Sequence, residues 1–233
     1  MPKIPLNRIR KIRTWLPGDK PAQFSPCNST TNSPSLLDLA SNDYLGLSKH
    51  PNLIEAAYET MKREGVGSTG SRFITGSRPI HNELENSLGE WLKKERVLLF
   101  PSGFQANLAA VLALTNRHTT VLADRLIHHS LLLGIKASGA ALQRYDHNDC
   151  QDLEQHLKVL RKKNPKSRPL VITESLFSME GTSPDLKKVS QLCETYEAQL
   201  LVDEAHALGV LGSEGKGLCL DLNKSISIIS GTF

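Results

Sequence analysis

At 233 residues, with 39% hydrophobic and 22% charged residues, the chain is long enough for one sizeable core or a core with an appendage. A net charge of +4 is small for that length, and the basic residues are scattered through segments that also carry acids, as at Glu55, Lys62, Arg63 and Glu64, so nucleic acid is not implied. No apolar run approaches the roughly 20 residues of a membrane span, Met1–Trp15 lacks the apolar core of a signal peptide, and Cys27, Cys150, Cys193 and Cys219 lie far apart without a CxxC pair; a cytoplasmic protein with reduced thiols is expected, with neither a disulfide framework nor a zinc site.

In chain order, the first residues read as a solvated amphipathic helix rather than a nucleic-acid arm, with Leu6, Ile9 and Ile12 inside and Arg8, Arg10, Lys11 and Arg13 outside. Leu16–Ser35 is rich in Pro, Ser, Thr and Asn and reads as a connection, so residues 1–40 form an arm and linker and residues 41–233 the main body. Pro51 opens a helix that Gly65 closes, and His81–Lys94 forms another with Leu84, Leu88, Trp91 and Leu92 turned inward. From there short apolar runs alternate with helical patterns: Val97–Phe100, Thr120–Ala123, Ala141–Tyr145, Leu170–Thr173, Gln199–Val202 and Ile226–Ser230 read as strands. Between them, Leu153, Leu157 and Leu160 line one helix; Ser183 caps another that Pro184 begins, with Val189, Leu192, Cys193 and Tyr196 on its apolar face. The alternation predicts an α/β fold with a largely parallel sheet, in which ligands bind beyond the carboxyl ends of the strands.

Chemistry is therefore sought just after each strand. Pro101-Ser102-Gly103-Phe104 leads into an apolar helix whose free backbone N–H groups suit an anion, with Gly103 allowing close approach. His128 and His129 follow the next strand; neighbours in sequence diverge on a helix and no HxxxH spacing accompanies them, which disfavours a metal. Ser178 in the loop after Thr173 can donate to a ligand oxygen, though turns favour serine for backbone reasons as well. Asp203 ends a buried strand, where an ionised carboxylate needs a cationic partner such as a protonated pyridine nitrogen; His206 follows it, and either residue alone also suits a rim position. A metal site from Asp203 and His206 lacks an evident third ligand. Thr232, after the last strand, suits a phosphate oxygen.

In order, Ser41-Asn42-Asp43-Tyr44-Leu45-Gly46-Leu47, Gly65-Val66-Gly67-Ser68-Thr69-Gly70-Ser71-Arg72, Gly76-Ser77 with His81 and Leu84-Glu85, and the Ser-Gly-Phe, Asp-Arg-Leu-Ile-His, Phe-Ser-Met-Glu-Gly, Val-Asp-Glu-Ala-His and Gly-Thr-Phe segments resemble the α-oxoamine synthases, a group within the fold-type I pyridoxal-phosphate (PLP) enzymes. The resemblance implies a fold-type I large domain, here partial, with PLP held by Gly103 and Phe104 amides. It implies His128 against the ring, Asp203 at the pyridine nitrogen, Ser178 and His206 at the ring oxygen, and Thr232 at the phosphate. Asn42 falls where the group contacts the amino-acid or product carboxylate, and Arg13 near substrate.

The implied reaction is a decarboxylative condensation of L-alanine with a pimeloyl thioester of CoA or an acyl carrier protein, as in biotin synthesis. The members that acetylate glycine or make 5-aminolevulinate are runners-up. A homodimer is implied, with Ser71 and Arg72 toward its interface. The group's Schiff-base lysine follows Gly-Thr-Phe by two positions, beyond Phe233, as does a C-terminal small domain. The expectation is a truncated form that binds the cofactor without using it, or a non-catalytic, lysine-free partner subunit.

Overall fold

The structure is a computed structural model that describes residues 12–18, 23–27, 36–222 and 226–233. It divides into two units, Met1–Ser68 and Thr69–Phe233. The expected amino-terminal helix falls mainly on residues 1–11, outside the described residues.

In the amino-terminal unit the expected connection Leu16–Ser35 is not structureless. Strands β1 (Trp15–Pro17), β2 (Gln23–Pro26) and β3 (Leu36–Leu37) form an antiparallel sheet in that order. The pairing opposes Trp15 to Pro26 and Pro17 to Phe24, so the Trp15 and Phe24 rings become diagonal neighbours and meet edge to face at 4.5 Å. A cross-strand aromatic pair of that kind holds a short ladder that Pro and Ser content argues against. Helix α1 (Pro51–Glu64) completes the unit, begun by a proline at its first position and closed by Gly65 in the left-handed region, as expected.

In the larger unit, helix α2 (Pro79–Leu92) buries only Leu88, and Leu84 points to solvent rather than inward. Val97–Phe100, expected as a strand, is unpaired: no described strand runs beside it, and the Leu99 N–H donates instead to Glu85 Oε1 at 2.9 Å. Glu85 is in turn gripped by both terminal nitrogens of Arg72, at 2.6 and 3.0 Å. The following elements are α3 (Gly103–Leu114), β4 (Thr120–Asp124), α4 (His129–Ser138), β5 (Ala141–Tyr145), α5 (Cys150–Lys163), β6 (Leu170–Glu174), α6 (Leu186–Thr195), β7 (Gln199–Asp203) and β8 (Ile228–Ser230). Helix α6 starts later than Ser183 suggested. Asp185 caps it by accepting from the Lys188 N–H, while the Ser183 hydroxyl turns back to the Ser175 carbonyl at 2.6 Å.

All five strands β4–β8 are parallel, in the order β5-β4-β6-β7-β8. Alternate residues serve the two faces. Leu122, Val171, Leu200 and Val202 pack with Leu153, Leu157, Val189 and Leu192 of α5 and α6. Val121, Ala123, Leu170, Ile172 and Leu201 pack with Val111, Leu131 and Ile135 of α3 and α4. The last two helices approach closely because Gly134 faces Val111, whose Cβ a side chain at 134 would meet at 2.8 Å. The chain leaves β4 toward one edge of the sheet and crosses back to β6 on its other side, so the connections part between β4 and β6. Crevices at such switch points are where open α/β sheets bind ligands.

Candidate functional site

The carboxyl ends of β4, β6 and β7 carry three buried acids, Asp124, Glu174 and Asp203. Asp203 and Glu174 are register partners on adjacent parallel strands, so they share a face of the sheet. Asp203 Oδ2 accepts from Asn107 Nδ2 at 2.7 Å and Oδ1 from the Ala205 N–H at 2.9 Å. Both donors are neutral, and Asn107 Nδ2 also reaches Ser130 Oγ at 3.0 Å. Asn107 lies in the interior of a mostly apolar helix, α3, and its Oδ1 is buried without a partner among the described residues.

His128 is the N-cap of α4. Its Nδ1 lies 2.7 Å from Ser130 Oγ and accepts from the Ser130 N–H at 3.3 Å, while its own N–H donates to Glu174 Oε1 at 2.6 Å. Ser130 therefore joins His128 to Asn107, and Asn107 joins both to Asp203. Burial pushes the Glu174 carboxyl up to about 8, with the neighbouring Asp203 charge adding to it and the His128 N–H opposing it.

At the start of α3, Ser102 caps by accepting from the Gln105 N–H at 3.3 Å. Gly103 is backed by Thr232: a Cβ at position 103 would fall well inside contact with the Thr232 methyl group. Thr232 is tied to the strand β7 exit by its hydroxyl, which donates to the Ala205 carbonyl at 3.3 Å. The structure thus brings Gly103, His128, Asp203 and Thr232 into one connected region through Asn107, Ser130, Ala205 and their hydrogen bonds. Phe104, in the first turn of α3, and Ser178, after β6, are exposed, and His206, after β7, is half-buried. Asn42 and Arg13 belong to the amino-terminal unit, where both are exposed and Asn42 Oδ1 accepts from the Tyr44 hydroxyl at 3.3 Å. Among the described residues no group of three or more His, Cys, Asp or Glu is placed to hold a metal.

Sequence reasoning passed over Asn107, Glu174 and Ser130. Two left a signal: an amide, Asn107, among the apolar residues of a helix, and an acid ending an apolar strand just as Asp203 does. A buried carboxylate served only by neutral donors lacks the cation that would offset its desolvation. A planar heteroaromatic ring with a protonated nitrogen supplies that cation, and the Gly103 turn offers amides to an anionic group on the same ligand.

Sheet order, switch point and a buried acid at the end of β7 fit the fold-type I class of PLP-dependent transferases, and solved structures place the chain there. A serine palmitoyltransferase from S. paucimobilis, solved with PLP and myriocin bound, superposes with a TM-score of 0.86 at 28% identity over 94% of this chain and 54% of that one. The 8-amino-7-oxononanoate synthase of Francisella tularensis gives a TM-score of 0.63 at 31% identity, over 82% and 50%. The model of the aminotransferase class I and II family matches residues 34–233, and the chain belongs to that family. Among curated relatives, the 8-amino-7-oxononanoate synthase of Salmonella paratyphi B is 44% identical over 188 residues, 81% of this chain and 48% of that protein. The chain spans about half the length of the curated relatives it matches.

Proposed function

We propose that this chain supplies the cofactor-binding part of an 8-amino-7-oxononanoate synthase, which condenses L-alanine with a pimeloyl thioester and releases carbon dioxide. The observation that carries the proposal is Asp203, buried at the end of β7 and oriented by Asn107 and Ala205 with no cation of its own among those contacts. When bound, PLP supplies an electron sink for the pair left on the amino acid's α-carbon.

The roles follow from position. Asp203 holds the ring nitrogen protonated, and His128, fixed by Ser130 and Glu174, lies against the ring. Ser178 and His206 donate to the ring oxygen. Gly103, Phe104 and Thr232 receive the phosphate at the start of α3, where free N–H groups and the helix dipole favour an anion. Asn42 is assigned to the amino-acid or product carboxylate, and Arg13 to substrate. Residues 41–233 act as the large domain, in a homodimer, and the lysine that carries the cofactor is assigned to no residue among 1–233. The relatives' names, at 44% identity for the Salmonella protein, support the alanine and pimeloyl reading.

A second reading, transfer of a palmitoyl group to serine, is favoured by one observation: the TM-score of 0.86 to a serine palmitoyltransferase against 0.63 to the Francisella protein. In the assembled synthase to which this part is assigned, carboxyl-labelled L-alanine with pimeloyl thioester, compared with labelled L-serine and palmitoyl thioester, separates the two. Label released with alanine alone supports the first, and label released with serine alone replaces it. Ahead of turnover, the purified chain should retain PLP through dialysis. A chain that retains none contradicts the proposed cofactor role.

A further inference from the structure

Beside the region just described, a second polar chain joins Asp124, His147 and Thr182, none of which has a role in the proposed function. Asp124 ends β4 with its side chain fully buried, and its carboxylate accepts from the Leu126 and Asn148 N–H groups, each at 2.9 Å. Asn148 reaches it by adopting a left-handed conformation, φ 57°, which asparagine tolerates better than most residues. The same carboxylate lies 3.0 and 3.1 Å from His147 Nδ1. An ionised carboxylate only accepts, so Nδ1–H is the donor there and Nε2 is left as an acceptor. Nε2 faces the Thr182 hydroxyl at 2.7 Å and the Asn148 side-chain amide at 3.2 Å. The imidazole also meets the buried Phe177 ring edge to face, centroids 4.5 Å apart at 87°.

Phe177 and Thr182 are the two ends of one turn. The Phe177 N–H donates to the Thr182 carbonyl at 2.9 Å, and the Gly181 N–H returns to the Phe177 carbonyl at 2.8 Å. Ser178 lies inside that turn. On the other side, Asp124 fixes the start of the segment that ends at His128. A single imidazole therefore touches both ends of the Ser178 turn and, through Asp124, the root of the His128 segment.

We infer that His147 is a positioning residue, which fastens the Phe177–Thr182 turn to the end of β4 so that Ser178 and His128 are set before a ligand arrives. The purpose of the turn rests on the proposed function; the clamp does not. Preorganisation of this kind spares a ligand the cost of ordering two loops. A ring that merely packs would be replaceable by phenylalanine, whereas a clamp needs both nitrogens.

The test compares the full chain with His147→Phe, Thr182→Val and Thr182→Ser. It reads amide hydrogen exchange at Phe177 and Gly181 without ligand, then the dissociation constant for PLP. Loss of a bond in a buried network is worth about a factor of ten. His147→Phe and Thr182→Val should therefore both speed exchange of those amides about tenfold and weaken PLP about fivefold or more, while Thr182→Ser, which keeps the hydroxyl, matches wild type. If His147→Phe does not fold, the Thr182 pair decides. Unchanged exchange in Thr182→Val, or equal disruption by Thr182→Ser, overturns the clamp. Faster exchange with unchanged PLP affinity overturns the positioning role. A wild-type chain that takes up no PLP contradicts the proposed function instead, and exchange alone then decides whether the clamp exists.

Discussion

The middle of the parallel sheet and its carboxyl-terminal edge are equally buried and held by opposite physics. In the middle, Leu122, Ile172, Leu200 and Leu201 are wholly excluded from solvent, with hydrocarbon on both faces. Their stabilisation scales with area and tolerates approximate shape. At the edge, two residues beyond Leu122, Ile172 and Leu201 on their strands, Asp124, Glu174 and Asp203 are nearly as buried, and each is tolerable only because specific N–H groups reach it. The middle repays any volume-conserving residue, while the edge repays only the correct donor. A domain can thus hold a rigid core and, directly above it, a buried carboxylate, Asp203, placed for a complementary ligand.

Three substitutions sharpen that contrast. Leu201→Ala, at the centre of the sheet, removes a fully buried side chain with little room to collapse and should lower stability by about 3–4 kcal/mol in denaturant titration. A loss below that of a typical surface change would mean the centre is not tightly packed.

Glu174→Gln should act through pH. The folded state raises this carboxyl from 4.5 to about 8, so its stabilising contribution is fully present below 4.5 and is lost as pH rises through about 8. Wild type should therefore weaken across that window by roughly 5 kcal/mol, and the glutamine variant, which still accepts from the His128 N–H, should lack that slope. Parallel pH profiles for the two proteins would show that Glu174 titrates normally.

The smallest effect is expected for Asn107→Ala. It leaves Asp203 Oδ2 and Ser130 without their shared donor, and thermal or chemical unfolding should register a loss of about 1–2 kcal/mol. Stability equal to wild type would place water, rather than Asn107, as the donor that matters.

Legibility in the sequence follows the same division. The strands β4, β6, β7 and β8 are readable because each is a short, largely apolar run ended by a polar or charged residue, and Asp203 is readable because an acid in that place needs a partner. Val97–Phe100 carries the same apolar signal, but pairing depends on a neighbour that periodicity cannot see, and it runs unpaired with its Leu99 amide on Glu85. Ser183-Pro184 looked like a helix start. The serine hydroxyl was instead taken by the Ser175 carbonyl, and Asp185 caps two residues later. In the amino-terminal unit, Trp15 and Phe24 build a ladder through a contact between residues whose local composition suggests none. Glu174 was open to the same inference as Asp203. His147 was not, because a histidine in a turn acquires meaning only when the fold brings Asp124 and Thr182 to its two nitrogens.

The central claim is that Asp203 waits for a cationic ring nitrogen, and it is tested most directly by a two-by-two comparison. PLP and its 1-deaza analogue, which replaces that nitrogen with carbon, are titrated into the wild-type chain and into Asp203→Ala. The account predicts that wild type binds PLP at least about tenfold more tightly than the analogue, consistent with a charge-assisted hydrogen bond, and that Asp203→Ala abolishes the difference by weakening PLP alone. Equal affinity of the wild-type chain for the two ligands, or equal weakening of both by the substitution, would contradict it.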